Sequence, residues 1–282
     1  MTTGEGIRID ARFDVRQYAR TARGNHRDSL QLEEFAETPL NDKTLQLIRY
    51  LGRLESATME HLRNLLVTAT HKDARVTAFL VSWAFEKFWV ADALDAVLEA
   101  NGVGKARDAE EGKPRHALAE FTERRGPIRR AVEAFSLGSP VVGVHTTTGL
   151  IDDWVMADAY RQASALGNSA ALNAVIALIL DVKRRHTEFF DDESRRRLTE
   201  SPRTVKQARQ ALPKIVWPIG AVDRAAEDRD LFDSVVFGGK DGLQRVAEIA
   251  NRVAHLPGMD AGIGAAVAAR LAPARTSGAL PA

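Results

Sequence analysis

Apolar residues recur at helical spacing through most of the chain. Leu45, Ile48, Leu51, Thr58, Leu62 and Leu65 lie three or four apart, with Glu55 in the same stripe. They predict a helix over 43–70, entered through Asn41 as N-cap. Val76, Leu80, Trp83, Val90, Leu94 and Val97, with Glu86 among them, predict a second helix over 74–100 that stops at Asn101 and Gly102. A third helix is expected over 150–166, ended by Gly167 and Asn168. A fourth is expected over 170–199, with the stripe Leu172, Val175, Ile179, Val182, His186 and Phe189 or Phe190, and a stop at Ser201 and Pro202.

The intervening and terminal regions read less regularly. Residues 1–40 are polar and charged and read as a flexible arm, with one short helix near 14–23. The connection over 104–149 is expected to hold a helix at 116–135, and its SLGSPVVGVHTTTG run, broken by Gly and Pro, suits an extended crossover or a short strand. Beyond residue 200, shorter helices are expected over 204–212, 222–237, 241–256 and 261–271, with PKIVWPIG (213–220) as an apolar connector packed on the bundle. The expected organisation is therefore an arm over 1–40, a helical bundle over 41–200 and a helical extension over 201–282. Two long helical hairpins joined by one long connection make an all-α, one-crossover four-helix bundle with additional C-terminal helices.

Composition narrows the functional classes. Cysteine is absent, which removes disulfides, thiolate metal sites and a cysteine nucleophile. A net charge of +1 supplies no field to draw the chain to nucleic acid or a membrane surface. The basic runs 183–185 and 195–197 alternate with acids and read as solvated helix faces, so no nucleic-acid partner is expected. The most apolar run, 170–180, is too short to span a bilayer, and the first 30 residues lack an apolar leader. A cytoplasmic protein is the expectation, and richness in Ala and Arg suits a high-GC bacterial genome. GGKDG (238–242) lacks the spacing of a phosphate-binding loop. The small-residue run GIGAAVAARL suits helix packing, including a homo-oligomer contact.

The candidate chemistry lies in the stripes themselves. Glu55 and Glu86 occupy positions that should be apolar, and a bare carboxylate there requires a cation, a metal or a proton. With the first hairpin turning near residue 70, the two acids sit at the same height. Lys183 and His186 on the fourth helix, and Asp152 and Asp153 on the third, fall at a matching level. Trp83, Trp89, Trp154 and Tyr160 read as packing residues.

This arrangement, with the run VKRRHTEFF (182–190), resembles the ferritin-like superfamily of carboxylate-bridged metal proteins. In that superfamily two helices each give a Glu and two others each give Glu-x-x-His. The resemblance covers about residues 41–200, and it carries Glu55, Glu86 and His186 over as metal ligands, with Asp153 as a shorter acid on the third helix. It departs from the pattern at Trp89, where a His is expected, and at Lys183, where a Glu is expected. Two functions follow as expectations. The first is a degenerate member without metal that works as a binding or interaction protein. The second is an iron- or manganese-dependent oxidoreductase with a single atypical ion. In the first case Lys183 replaces the metal charge and Trp89 fills the volume of the missing imidazole.

Overall fold

The structure, a computed structural model, describes residues 12–106 and 138–272, and every regular element among them is a helix. In chain order they are α1 (Val15–Arg20), α2 (Glu34–Glu37), α3 (Asp42–Ser56), α4 (Thr58–Leu66), α5 (Ala74–Ala100), α6 (Pro140–Gly167), α7 (Ala170–Glu200), α8 (Pro202–Ala211), α9 (Ala226–Val236), α10 (Gly239–Ala254) and α11 (Ala261–Leu271). The helix expected at 116–135 lies outside the described residues.

Short polar side chains start α3, α5, α7 and α8. Asn41 accepts from the Thr44 N–H, Asp73 from Val76, Ser169 from Leu172 and Ser201 from Thr204. Each satisfies one of the amide donors that a helix start leaves unpaired. Asn168, in the left-handed region with φ 43°, turns the chain between α6 and α7. Helix α3 packs on α5 and α6 on α7, and the two pairs meet through α3–α6 and α5–α7 contacts. Leu47, Leu51, Val90, Leu94, Ile151, Val155, Leu172 and Ile179 are buried between them. Helix α9 lies against α3 and α6, and α10 against α6.

Four expectations change. The helix predicted over 43–70 divides at Ala57, where the Thr58 hydroxyl bonds back to the Glu55 carbonyl and competes with the helical ladder. The supposed extended crossover is instead the first turns of α6. Pro140 opens that helix, where its missing N–H costs nothing. The glycines read as breakers permit close packing: a Cβ on Gly143 would stand 2.3 Å from the Thr204 methyl, and one on Gly149 2.8 Å from the Phe190 ring. The described part of the presumed arm, residues 12–40, lies on the bundle, with Val15, Tyr18, His26, Phe35 and Leu40 buried. The small-residue run in α11 packs within the chain, where Gly264 approaches the Ala250 carbonyl of α10 too closely to admit a Cβ. No helix among the described residues is long and apolar enough to cross a membrane.

Candidate functional site

Glu55, at the end of α3, is fully buried. Its Oε1 accepts from the Tyr160 hydroxyl at 2.8 Å and from the Lys183 ammonium at 3.2 Å, and its Oε2 stands 3.0 Å from Lys87 Nζ. Burial alone would raise this carboxyl. The two ammonium groups outweigh it and hold the group down at about 2. Lys183 also reaches Asp153 Oδ1 at 3.4 Å, and those two carboxylates keep it charged despite its own burial. Asp153 Oδ2 is met by the Thr187 hydroxyl at 3.5 Å. Two acids, Glu55 and Asp153, thus face two ammonium groups, Lys87 and Lys183, within the bundle.

Glu86 belongs to a second network. Its Oε2 accepts from the Tyr18 hydroxyl at 2.6 Å and from His186 Nε2 at 2.8 Å. Its Oε1 takes the Arg23 backbone N–H at 2.8 Å and lies 3.2 Å from the Arg185 guanidinium. Burial favours the neutral imidazole, shifting His186 below its ordinary value. The ionised carboxylate can only accept, so the ring carries its proton on Nε2 and donates it to Glu86. Burial opposes the charge on Glu86 as well, but the bonds from His186, Tyr18 and Arg23 leave its carboxyl below the usual range. Tyr18 and Arg23 come from the N-terminal segment, which therefore completes the network.

The two predicted carboxylates are buried, but they do not share one set of partners. Among the described residues no group of three or more His, Asp or Glu side chains is placed to hold a metal ion. Glu55, Glu86, His186 and Asp153 therefore do not form a single ligand set, and their oxygens are engaged by ammonium, guanidinium, hydroxyl and N–H donors. The residues do not fit a carboxylate-bridged metal centre. Lys183 stands beside Glu55 and Asp153, whereas Arg185 and His186 serve Glu86. Trp89, expected inside the bundle, is half-buried under Gly24, with Phe85 and Phe88 at its edge. Trp83 is the indole near His186, with ring centroids 6.5 Å apart.

The sequence leaves Lys87 and Tyr18 unmarked, and it presents Tyr160 as packing and Arg185 as part of a solvated face. Lys87 carried a usable signal, since a cation next to a stripe acid on the second helix is a natural partner for the acid on the first. Tyr18 carried none, because it is 68 residues from Glu86.

A cavity of about 140 Å³ opens beside the Glu55 cluster, between the α3–α4 junction, α5, α6, α7 and the connector at 219–224. Leu54, His61, Trp83, Lys87, Asp152 and Phe190 contribute to its walls. Lys87 Nζ lies 4.8 Å from the centre of a Trp83 ring. Burial, with Lys87 nearby, pushes His61 down to about 3, so the ring is neutral at physiological pH. Asp152 accepts the Ile219 N–H at 2.7 Å, and burial raises it to about 6 against the pull of Lys87. The cavity thus presents two cations, Lys87 and Arg224, a neutral imidazole, and the acids Glu60, Asp152 and Asp153.

Compared with known proteins, the chain matches no family model, no curated protein and no solved structure.

Proposed function

We propose that the chain is a non-catalytic binding protein, built on a ferritin-like bundle in which fixed cations stand where that design places metal ions. The observation that carries this proposal is the Lys183 ammonium, held between Glu55 and Asp153 one turn before His186. A metal pair neutralises a cluster of buried acids, and an ammonium in contact with the same acids does so without redox chemistry. Two packed helix pairs, α3–α5 and α6–α7, connected through residues 107–137, support the same reading through their connectivity.

Elemental analysis tests it. Protein made in medium rich in iron and manganese and then dialysed should retain far less than one ion per chain. A stoichiometric iron or manganese ion that survives dialysis and perturbs the resonances around Glu55 would overturn the proposal in favour of the oxidoreductase.

A further inference from the structure

The cavity beside Glu55 has walls of two kinds. Trp83 and Phe190, with ring centroids 6.3 Å apart and planes at 83°, form an aromatic corner next to Leu54 and Ile219. Hydrogen-bond donors gather on the α4–α5 side. Lys87 carries three N–H groups, and Glu55 is its ion-pair partner at 3.0 Å. The His61 ring makes no hydrogen bond to the described residues, although the ring is close to Trp83, with centroids 6.2 Å apart. The Trp83 side chain is 5% exposed, and its Nε1–H is buried without a partner. A buried indole N–H gains from any acceptor that reaches it, and Trp83 belongs to the cavity wall. On the α6 side, Asp152 has one oxygen on the Ile219 N–H and offers the other as an acceptor.

We infer that this cavity binds a small planar aromatic carboxylate bearing a ring hydroxyl, with its carboxylate at Lys87, His61 and Trp83, its ring in the Trp83–Phe190 corner and its hydroxyl toward Asp152. The class follows from the walls. A carboxylate brings two acceptor oxygens to a cluster of donors, a flat ring suits two edge-to-face aromatics, and a hydroxyl can donate to an acid that only accepts when ionised.

The inference rests on the reading of the chain as a binding protein and specifies what is bound. The probes are 4-hydroxybenzoate, benzoate and 4-hydroxybenzyl alcohol, titrated into the full, nitrogen-labelled chain. The indole N–H resonance of Trp83 is assigned by its loss in Trp83→Phe. 4-Hydroxybenzoate should shift that resonance saturably. Benzoate should bind several-fold more weakly, and the alcohol, which lacks the charge, about tenfold more weakly. His61→Ala touches no buried ion pair and should weaken 4-hydroxybenzoate without changing the circular dichroism. Lys87→Met should weaken it about tenfold. If Lys87→Met unfolds, His61→Ala and the alcohol carry the test by themselves. Equal affinity for carboxylate and alcohol, indifference to His61→Ala, or no shift of the Trp83 resonance at about 10 mM probe would overturn the ligand class. None of these results bears on metal content, so the parent proposal stands or falls separately.

Discussion

Lys183 is the residue on which the interior charge balance turns. Its side chain is almost wholly buried and contacts both Glu55 and Asp153. Lys183→Met keeps much of the volume and removes the charge, leaving two acids facing the single ammonium of Lys87. Loss of one partner of a buried ion pair typically costs about 3–5 kcal/mol, and denaturant melts at neutral pH should show a loss of that size. A loss under about 1 kcal/mol would mean that water already solvates the cluster. Asp152 offers the opposite sign. Its carboxyl is raised from an ordinary 3.8 to about 6, so the folded state holds its proton more tightly than the unfolded chain. Ionising it therefore costs stability. The cost is absent below pH 4, grows between pH 4 and 6, and is fully present above. Asp152→Asn keeps an acceptor for the Ile219 N–H, so it should stabilise the protein at pH 7.5 by at most about 3 kcal/mol, the equivalent of a two-unit displacement. The gain should vanish near pH 4, and an equal gain at both pH values would contradict this account of Asp152.

At the level of elements, α5 is the organising helix. It meets α3, α1 and α7, and so touches both carboxylate networks and the cavity. Its Glu86 and Lys87 are adjacent in sequence and about 100° apart around the axis, so one turns to Tyr18 and His186 and the other to Glu55. Trp83, one turn earlier, is buried against Phe190 and His186 and supports the cavity wall. Trp83→Ala should cost about 3–5 kcal/mol, the usual range for truncating a core aromatic. Chemical denaturation measures it, and a value under about 1 kcal/mol would show that neighbouring side chains collapse into the space.

Over the whole molecule, the N-terminal segment behaves as part of the core. Tyr18 is buried among Phe79, Phe13 and His186, and its hydroxyl ends on Glu86. Arg75 reinforces the docking through the Phe13 carbonyl, and Arg185 through the Tyr18 and Thr21 carbonyls. Tyr18→Phe removes one charge-assisted hydrogen bond and leaves the ring in place. It should lower stability by about 1.5–3 kcal/mol and speed amide exchange in α1. Unchanged exchange would show that the segment is held by its aromatic packing alone.

Much of the architecture is a local property of the chain. The 3.6-residue period placed α5 and α7 and parts of α3 and α6, and Asn41, Gly167–Asn168, Ser169 and Ser201–Pro202 marked helix ends, because capping and left-handed turns involve only neighbouring residues. The burial of Glu55 and Glu86 was legible for the same reason, since each interrupts an apolar stripe. Hairpin arithmetic also set the height at which α3 and α5 meet, for Lys87 does lie opposite Glu55. The rotation of each helix was beyond that arithmetic. One residue along α5 decides whether an acid or an ammonium faces Glu55, and an apolar stripe is wider than that difference. The glycines of α6 became intelligible only through Thr204 and Phe190, and the partners of Glu86 only through the docked N-terminal segment. These contacts join residues far apart in sequence, and their energies depend on burial that exists only once the helices have packed. Periodicity and caps therefore determined most of the helices, though not the break at Ala57 or the start at Pro140, while tertiary packing decided which charges meet and left the cavity beside them.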